Sequence, residues 1–378
     1  MARELAALGA VDATEVAGGV EFLADEFLLA TAHLQLRIAS RVLVRLASFR
    51  ATAFHELERA ARQVEWTRVL AASSGFRLRV TCRKSRLYHS DAVAERVAAA
   101  IVRGVSGAEW RESGDADSEQ EDASSPEEEH APQLFVVRLD RDRCTISADA
   151  SGALLHRRGY RQAVGRAPLR ETLAAAMLAG AEWEPQIPLL DPMCGSGTIP
   201  IEAAMIARRI PPGLARAFAA EQWPMGSTQT WERARSEARA QILPEAPSSI
   251  RGSDRDAGAI EAARANAARA GVAADIEFRV QALSSAEPSA SEGLLIANPP
   301  YGIRVGESAA LRDLFARLGQ LAGERFGGWM IALLSADPGL ERQTRLAFET
   351  RFRTNNGGIP VRLVRAHPVI RTGNRTPG

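Results

Sequence analysis

Apolar and polar positions repeat with two different rhythms along this chain, and the change between them divides it. Arg3–Leu8 carries a helical spacing that Gly9 ends, and Val16–Phe22 reads as a hairpin turned at Gly18-Gly19. Phe27–Ser48 starts helical and becomes extended through Arg41-Val-Leu-Val-Arg45. Phe76–Cys82 alternates every second residue, as a half-buried strand does, and Ser90–Val105 has the spacing of an amphipathic helix. Leu134–Leu139 and Cys144–Asp149 complete a hairpin, so the front part is α+β. From about residue 168 a different order sets in. A helix over 168–183 precedes a short apolar strand at Pro188–Asp191. Strands at Ile250–Asp254, Ile276–Val280, Gly293–Ala297 and Trp329–Leu334 then alternate with helices. One of these, Asp256–Ala270, is closed by Gly271. Strand–helix alternation predicts an α/β fold with a doubly wound, Rossmann-like parallel sheet and ligands at the carboxyl ends of its strands. The expected divisions are 1–68, 69–155, a connecting segment at 156–185, and 186–370.

Composition changes this picture only where it is uneven. The 378 residues hold 47 Lys+Arg against 46 Asp+Glu, a formal charge of +1. Yet nine acids and no base lie between Glu112 and Glu129, and subtracting those nine leaves +10 on the rest. The acidic stretch, 112–131, has too little apolar surface to offset its ordering entropy and is expected to be disordered. Arg77, Arg79, Arg83, Lys84 and Arg86 form one basic cluster, and Arg157, Arg158, Arg161, Arg166 and Arg170 another. Lys84 is the only lysine, and arginine pairs bidentately with phosphate and stacks on bases, which suits RNA. Arg83, Lys84, Arg86, His89, Arg157, Arg158 and Arg161 are therefore the candidate RNA contacts. No apolar run reaches the length of a membrane span and the start is unlike a signal peptide, so a cytoplasmic location is expected. Cys82, Cys144 and Cys194 are too scattered for a disulfide framework or a metal site.

Three motifs carry chemistry. Asp191-Pro192-Met193-Cys194-Gly195-Ser196-Gly197-Thr198 joins a strand to a helix, where glycines admit close ligand approach and the helix N-terminus offers free N–H groups. Pro200 stands where a dinucleotide fingerprint needs Gly or Ala, and the next strand-end acid, Asp254, comes 57 residues after Gly197. No P-loop triplet follows. An Asp-initiated turn of this kind fits S-adenosylmethionine, with Asp191 near its ammonium. The second motif, Gly252-Ser-Asp254-Arg-Asp256, offers a carboxylate to ribose hydroxyls; Asp254 is preferred and Asp256 is its rival, equally suited to capping a helix. The third, Asn298-Pro299-Pro300-Tyr301, follows a strand directly. Two prolines stiffen it, so that the Asn298 side chain and the Pro299 carbonyl can accept both hydrogens of a planar exocyclic amine while Tyr301 stacks on an extruded base. Positioning rather than an unusual base would supply the rate.

These motifs resemble class I N-methyltransferases of the Asn-Pro-Pro-Tyr type. Ser147-Ala-Asp-Ala-Ser-Gly-Ala-Leu-Leu-His156-Arg-Arg-Gly-Tyr-Arg161 and Ser85–Ser90 are similar to segments of THUMP-containing members. The nearest resemblance is to the bacterial 23S rRNA guanine-N2 methyltransferases, including the N-terminal half of the fused bifunctional enzyme. It implies a ferredoxin-like subdomain, shortened at its start, over 1–68, a THUMP domain over 69–155, and a catalytic domain over 186–370. It also implies methyl transfer from S-adenosylmethionine to guanine N2 in 23S rRNA by a monomer without a metal. Gln281-Ala282 stands where the family has an acid that reads adenine, which leaves that role to backbone, Gln281 or Ser284. A tRNA guanine-N2 enzyme of the same class and a non-catalytic RNA-binding protein are the competing readings.

Overall fold

The computed structural model describes residues 1–111, 131–162, 169–301 and 308–367. Residues 112–130 of the acidic segment, for which disorder is expected, Arg166 and the residues just after Tyr301 lie outside them. The chain forms two units, Met1–Leu155 with Arg216–Ser236, and His156–Ala215 with Glu237–Gly378. Among the described residues no helix is long and apolar enough to cross a membrane, and no three metal-ligating side chains gather.

The first unit opens with α1 (Ala2–Ala7), the hairpin β1 (Thr14–Val16) and β2 (Gly19–Glu21), and α2 (Glu26–Gln35). Then follow β3 (Leu43–Arg50), α3 (Phe54–Ala61), β4 (Gly75–Arg83), α4 (Ser90–Gly104), β5 (Glu109–Trp110), β6 (Gln133–Asp140) and β7 (Arg143–Asp149). One sheet runs β3-β7-β6-β4-β5. The period-2 alternation of β4, β6 and β7 puts Phe76, Leu78, Phe135, Val137, Leu139, Cys144 and Ile146 on the buried face. Val93, Val97 and Ile101 of α4 and Leu57 of α3 are buried as well, as their helical spacing requires.

The second unit holds α5 (Glu171–Gly180), β8 (Leu189–Asp191), α6 (Thr198–Ala207), the end of α7 (Thr228–Ala240), β9 (Ile250–Asp254) and α8 (Ala257–Arg269). β10 (Ile276–Val280), β11 (Gly293–Ala297), α9 (Ser308–Glu324), β12 (Trp329–Ser335), α10 (Pro338–Gln343), β13 (Phe348–Asn356) and β14 (Ile359–Ala366) complete it. Its sheet runs β10-β9-β8-β11-β12-β14-β13. The first five strands are parallel, whereas β14 is antiparallel to β12 and β13 antiparallel to β14. The strand–helix rhythm predicts a parallel sheet; five strands obey it, and the β14-β13 end is antiparallel. Gly357 and Gly358, at φ +56° and +82°, make a two-residue turn that returns the chain on itself. Leu189, Phe278, Leu294 and Ile296 join one core with α6 and α8, while Leu190, Leu295, Ile331 and Leu333 join the other with α9. Strand order reverses between β8 and β11, and such switch points are where α/β sheets open a crevice.

Residues 216–236 depart from the expected division, which keeps all of 186–370 together. Phe218 and Trp231 stack with ring centroids 5.6 Å apart and both pack on His33 of α2. Arg216 donates to the carbonyls of Ser151 (3.3 Å), Ala153 (2.6 Å) and Leu154 (2.7 Å). Burial pushes the His33 imidazole down to about 4, so it sits there neutral. Periodicity says that such rings are buried but not in which core.

Candidate active site and arginine face

β8 delivers Asp191 to the switch point, where it is 1% exposed and accepts a hydrogen bond from the Met193 N–H (3.1 Å). Burial, a nearby Asp254 and no cation beside it among the described residues push its carboxyl up to about 8. Pro192 and Cys194 are buried; desolvation holds the Cys194 thiol well above its ordinary range, which leaves it a packing group and not a nucleophile. Gly195 and Gly197 adopt φ +51° and +84°. A Cβ on Gly197 would come within 2.9 Å of the Ala263 side chain and 3.0 Å of the Phe278 ring, so only glycine fits. Ser196 and Thr198 complete the turn into α6.

The end of β9 is stitched to this loop. The Asp254 carboxylate accepts the N–H of Gly195 and that of Asp256, both at 3.0 Å. Asp256 instead caps α8, accepting from Gly258 and Ala259. Of the two rivals, Asp254 is therefore the one against the loop. Gln281 donates its backbone N–H to the Asp254 carbonyl (2.8 Å) and its side-chain amide to the Ser285 carbonyl, which leaves the Gln281 carboxamide oxygen as an acceptor. A buried carboxylate with no cation beside it among the described residues, a second carboxylate at the strand end, and a loop turned by two glycines at positive φ suit a ligand with an ammonium and a ribose. S-adenosylmethionine has both.

Across the switch point, β11 ends at Ala297 and Asn298 follows it directly. Pro299 is buried, Pro300 exposed, and the Tyr301 ring packs partly into the core. The Tyr301 hydroxyl donates to the Asn298 side-chain oxygen, and the Asn356 amide donates to that hydroxyl (3.2 Å). Nothing in the sequence links Asn356 to Tyr301, which it follows by 55 residues.

The second basic cluster needs correction. Arg158 is 4% exposed, with its Nε 3.6 Å from Glu202, which also accepts from the Tyr160 hydroxyl (3.1 Å). Arg161 pairs with buried Glu171 (3.2 Å) and donates to the Leu169 carbonyl. Arg157 is half-buried beside them. His156, buried among arginines, is pushed down to about 3. Arg158 and Arg161 are thus held inside, against acids, and are not offered to phosphate; a run of arginines does not reveal which carboxylates the fold brings to it.

The first cluster is extended instead. Cross-strand pairing aligns Arg83, Asp140, Arg143 and Arg50 in one row, and Thr81, Arg138, Thr145 and Ser48 in the next. Both rows lie on the face of the first sheet opposite its core, and Arg50, Arg83, Arg138 and Arg143 are exposed. The β6–β7 turn takes Arg141 and Asp142 at positive φ (+50° and +64°). Asp142 accepts the Arg86 N–H (2.8 Å) and donates its own to Ser85 Oγ (3.0 Å), which holds Lys84 and Arg86 beside that turn. His89, just before α4, is exposed with its ring 4.0 Å from that of Tyr88, itself 69% exposed. Reading along the chain missed Arg50, Arg138 and Arg143, because sheet pairing alone gathers them, and it missed Tyr88, the neighbour of His89.

Residues 158–365 match the model of UPF0020, the RMKL-like methyltransferase domain, and residues 1–43 match the RlmL ferredoxin-like domain. A Synechocystis sp. protein whose name assigns it RNA methyltransferase activity is 34% identical over 366 residues, spanning 96% of this chain and 92% of its own. The solved structure of a Listeria monocytogenes protein, whose name assigns it adenine-N6 methylation of DNA, superposes with a TM-score of 0.83 at 32% identity. It covers 97% of this chain and 92% of that one. A methyltransferase solved with S-adenosylhomocysteine gives 0.83 at 29% identity, covering 97% and 94%.

Proposed function

Because the chain belongs to the RMKL-like methyltransferase-domain family and takes S-adenosylmethionine as methyl donor, we propose that it methylates the exocyclic N2 amine of a guanine in 23S rRNA. The observation that carries this reading is the Asn298–Tyr301 turn at the end of β11, next to the β8 cofactor loop in the same sheet. Asp191, the loop through Thr198, Asp254 and Gln281 would hold the donor, which when bound supplies an electrophilic methyl. The Asn298 oxygen and the Pro299 carbonyl accept the two amine hydrogens and aim the nitrogen lone pair along the transfer direction. Tyr301 gives the base a flat surface. The N–C bond would form as the S–C bond of the donor breaks and S-adenosylhomocysteine leaves, with the amine proton passing to solvent water, so no strongly shifted base is needed; orientation provides the acceleration. A nucleic-acid substrate is supported by the arginine face around Arg83, Lys84, Arg86, Arg138 and Arg143, with Tyr88 and His89 for stacking.

Nucleoside mass spectrometry of 23S rRNA and tRNA from a strain lacking the gene tests this reading. Loss of N2-methylguanosine from 23S rRNA, restored by the wild-type chain and not by Asn298→Ala, is the expected result. Loss from tRNA instead would move the substrate to tRNA. Full restoration by Asn298→Ala would remove the motif from the chemistry.

A further inference from the structure

We infer that Asn356 is a positioning residue for the transfer step: it orients the Tyr301 hydroxyl, and through it holds the Asn298 carboxamide with its oxygen toward the target amine. This rests on the assignment of Asn298 to that amine.

The sheet topology explains why a residue so far along the chain reaches the site. β14 is antiparallel to β12, so β13 runs in the same direction as β11 and β12. The last residue of β13, Asn356, therefore emerges at the same edge as Asn298, the first residue past β11. Its pairing with Ile359 closes the hairpin over Gly357-Gly358 and fixes the tip.

With Asn356 presenting its amide nitrogen, as the structure places it, the hydrogen bonds have one polarity. The Asn356 amide nitrogen carries hydrogens and no available lone pair, so toward Tyr301 it can only donate. A phenol has a single proton, and with its oxygen accepting from Asn356 that proton goes to Asn298 Oδ1. Burial pushes the Tyr301 hydroxyl up to about 12, so it remains a donor through the neutral range. A primary amide can turn over by half a rotation of its last torsion, which would exchange acceptor for donor. Turned over, Asn298 would bring an N–H against the Tyr301 proton, donor against donor. The relay thus holds one lone pair of Asn298 Oδ1 toward Tyr301 and leaves the other for an amine hydrogen. Without it the carboxamide is free to offer the wrong sign to the substrate.

The test measures methyl transfer by the full-length protein, from radiolabelled S-adenosylmethionine to 23S rRNA purified from the deletion strain. Tyr301→Phe keeps the ring and removes the hydroxyl; Asn356→Ala removes the outer donor. Each is expected to lower kcat about tenfold, the worth of one ordinary hydrogen bond in the transition state, with KM for the donor unchanged. The double variant should be no slower than Tyr301→Phe alone, because one relay can be cut only once. Asn356→Asp should be slower than Asn356→Ala at neutral pH, since an ionised carboxylate draws the Tyr301 proton to itself, and should recover as the pH falls and that carboxylate becomes a donor. A purely structural role for Asn356 would give neither the non-additivity nor this pH profile. Wild-type kcat in Tyr301→Phe, or losses that multiply in the double variant, would overturn the relay while an inactive Asn298→Ala upholds the amine assignment. An active Asn298→Ala would overturn both. Retained S-adenosylhomocysteine binding shows which variants are folded.

Discussion

Asp191 joins cofactor binding to pH. Its carboxyl is raised from an ordinary 3.8 to about 8 by burial and by Asp254. A carboxyl raised on folding favours the fold below its unfolded pKa, and that contribution is lost as the pH climbs through the folded value. The ligand-free protein should therefore lose stability between about pH 4 and 8 relative to Asp191→Asn. A ligand ammonium beside Asp191 favours the ionised form, so S-adenosylhomocysteine binding below pH 8 should release a proton and tighten as the pH rises. Calorimetry in buffers of different ionisation enthalpy reads this release. Equal proton release by wild type and Asp191→Asn would assign it elsewhere. The neighbouring acids show how similar residues separate: Asp254 meets the loop and Asp256 the helix. Asp254→Ala should weaken S-adenosylhomocysteine binding strongly, whereas Asp256→Ala should cost about 1 kcal/mol of stability with affinity kept. Isothermal titration and thermal melts distinguish the two.

At the scale of elements, the first sheet turns scattered arginines into a surface. Arg143 shares a row with Arg83 and Arg50, and Arg138 stands in the next row on the adjacent strand. Reversing both to Glu should weaken RNA binding and make the logarithmic salt dependence shallower by about one to two units, from two lost phosphate contacts. Filter binding across a salt series measures it, and an unchanged slope would take this face out of the interface. The same double reversal should leave S-adenosylhomocysteine affinity as it is, since the cofactor loop belongs to the other sheet. The β13–β14 hairpin makes a parallel point about legibility. Asn355-Asn356-Gly357-Gly358 between two alternating runs is a hairpin signal in the sequence. What the signal cannot say is that the hairpin adds to the parallel sheet at β12 and carries Asn356 to the edge where β11 ends.

At the scale of the whole molecule, the interval 216–236 ties the chain of the second unit to the core of the first. Phe218, Trp223 and Trp231 are at most 5% exposed there. Aromatic side chains of this kind bury about 150–250 Å² each. A fragment of residues 156–378 alone leaves them without cover and is expected to aggregate. The same fragment with 216–236 replaced by a Gly-Ser linker of similar length should stay monodisperse and bind S-adenosylhomocysteine. Size-exclusion chromatography compares the two, and equal monodispersity would mean that these rings find cover without residues 1–155.

By itself the sequence determined the elements with clear periodicity, the strand–helix rhythm of the second unit, and the three strand-end motifs, because each rests on short-range chemistry. Backbone freedom at Gly195 and Gly197, stiffness at Pro299 and Pro300, and alternation in β4, β6 and β7 are all local. Tertiary structure alone decided which charges face water. Arg158 and Arg161 resemble Arg83 and Arg86 along the chain, yet the first pair is enclosed with Glu202 and Glu171 while the second is exposed. It also decided the antiparallel end of the second sheet, the attachment of 216–236, and the meeting of Asn356 with Tyr301. The physical reason is the same in each case. Burial and hydrogen-bond partnership depend on what packs from distant parts of the chain, and neither periodicity nor residue type carries that information.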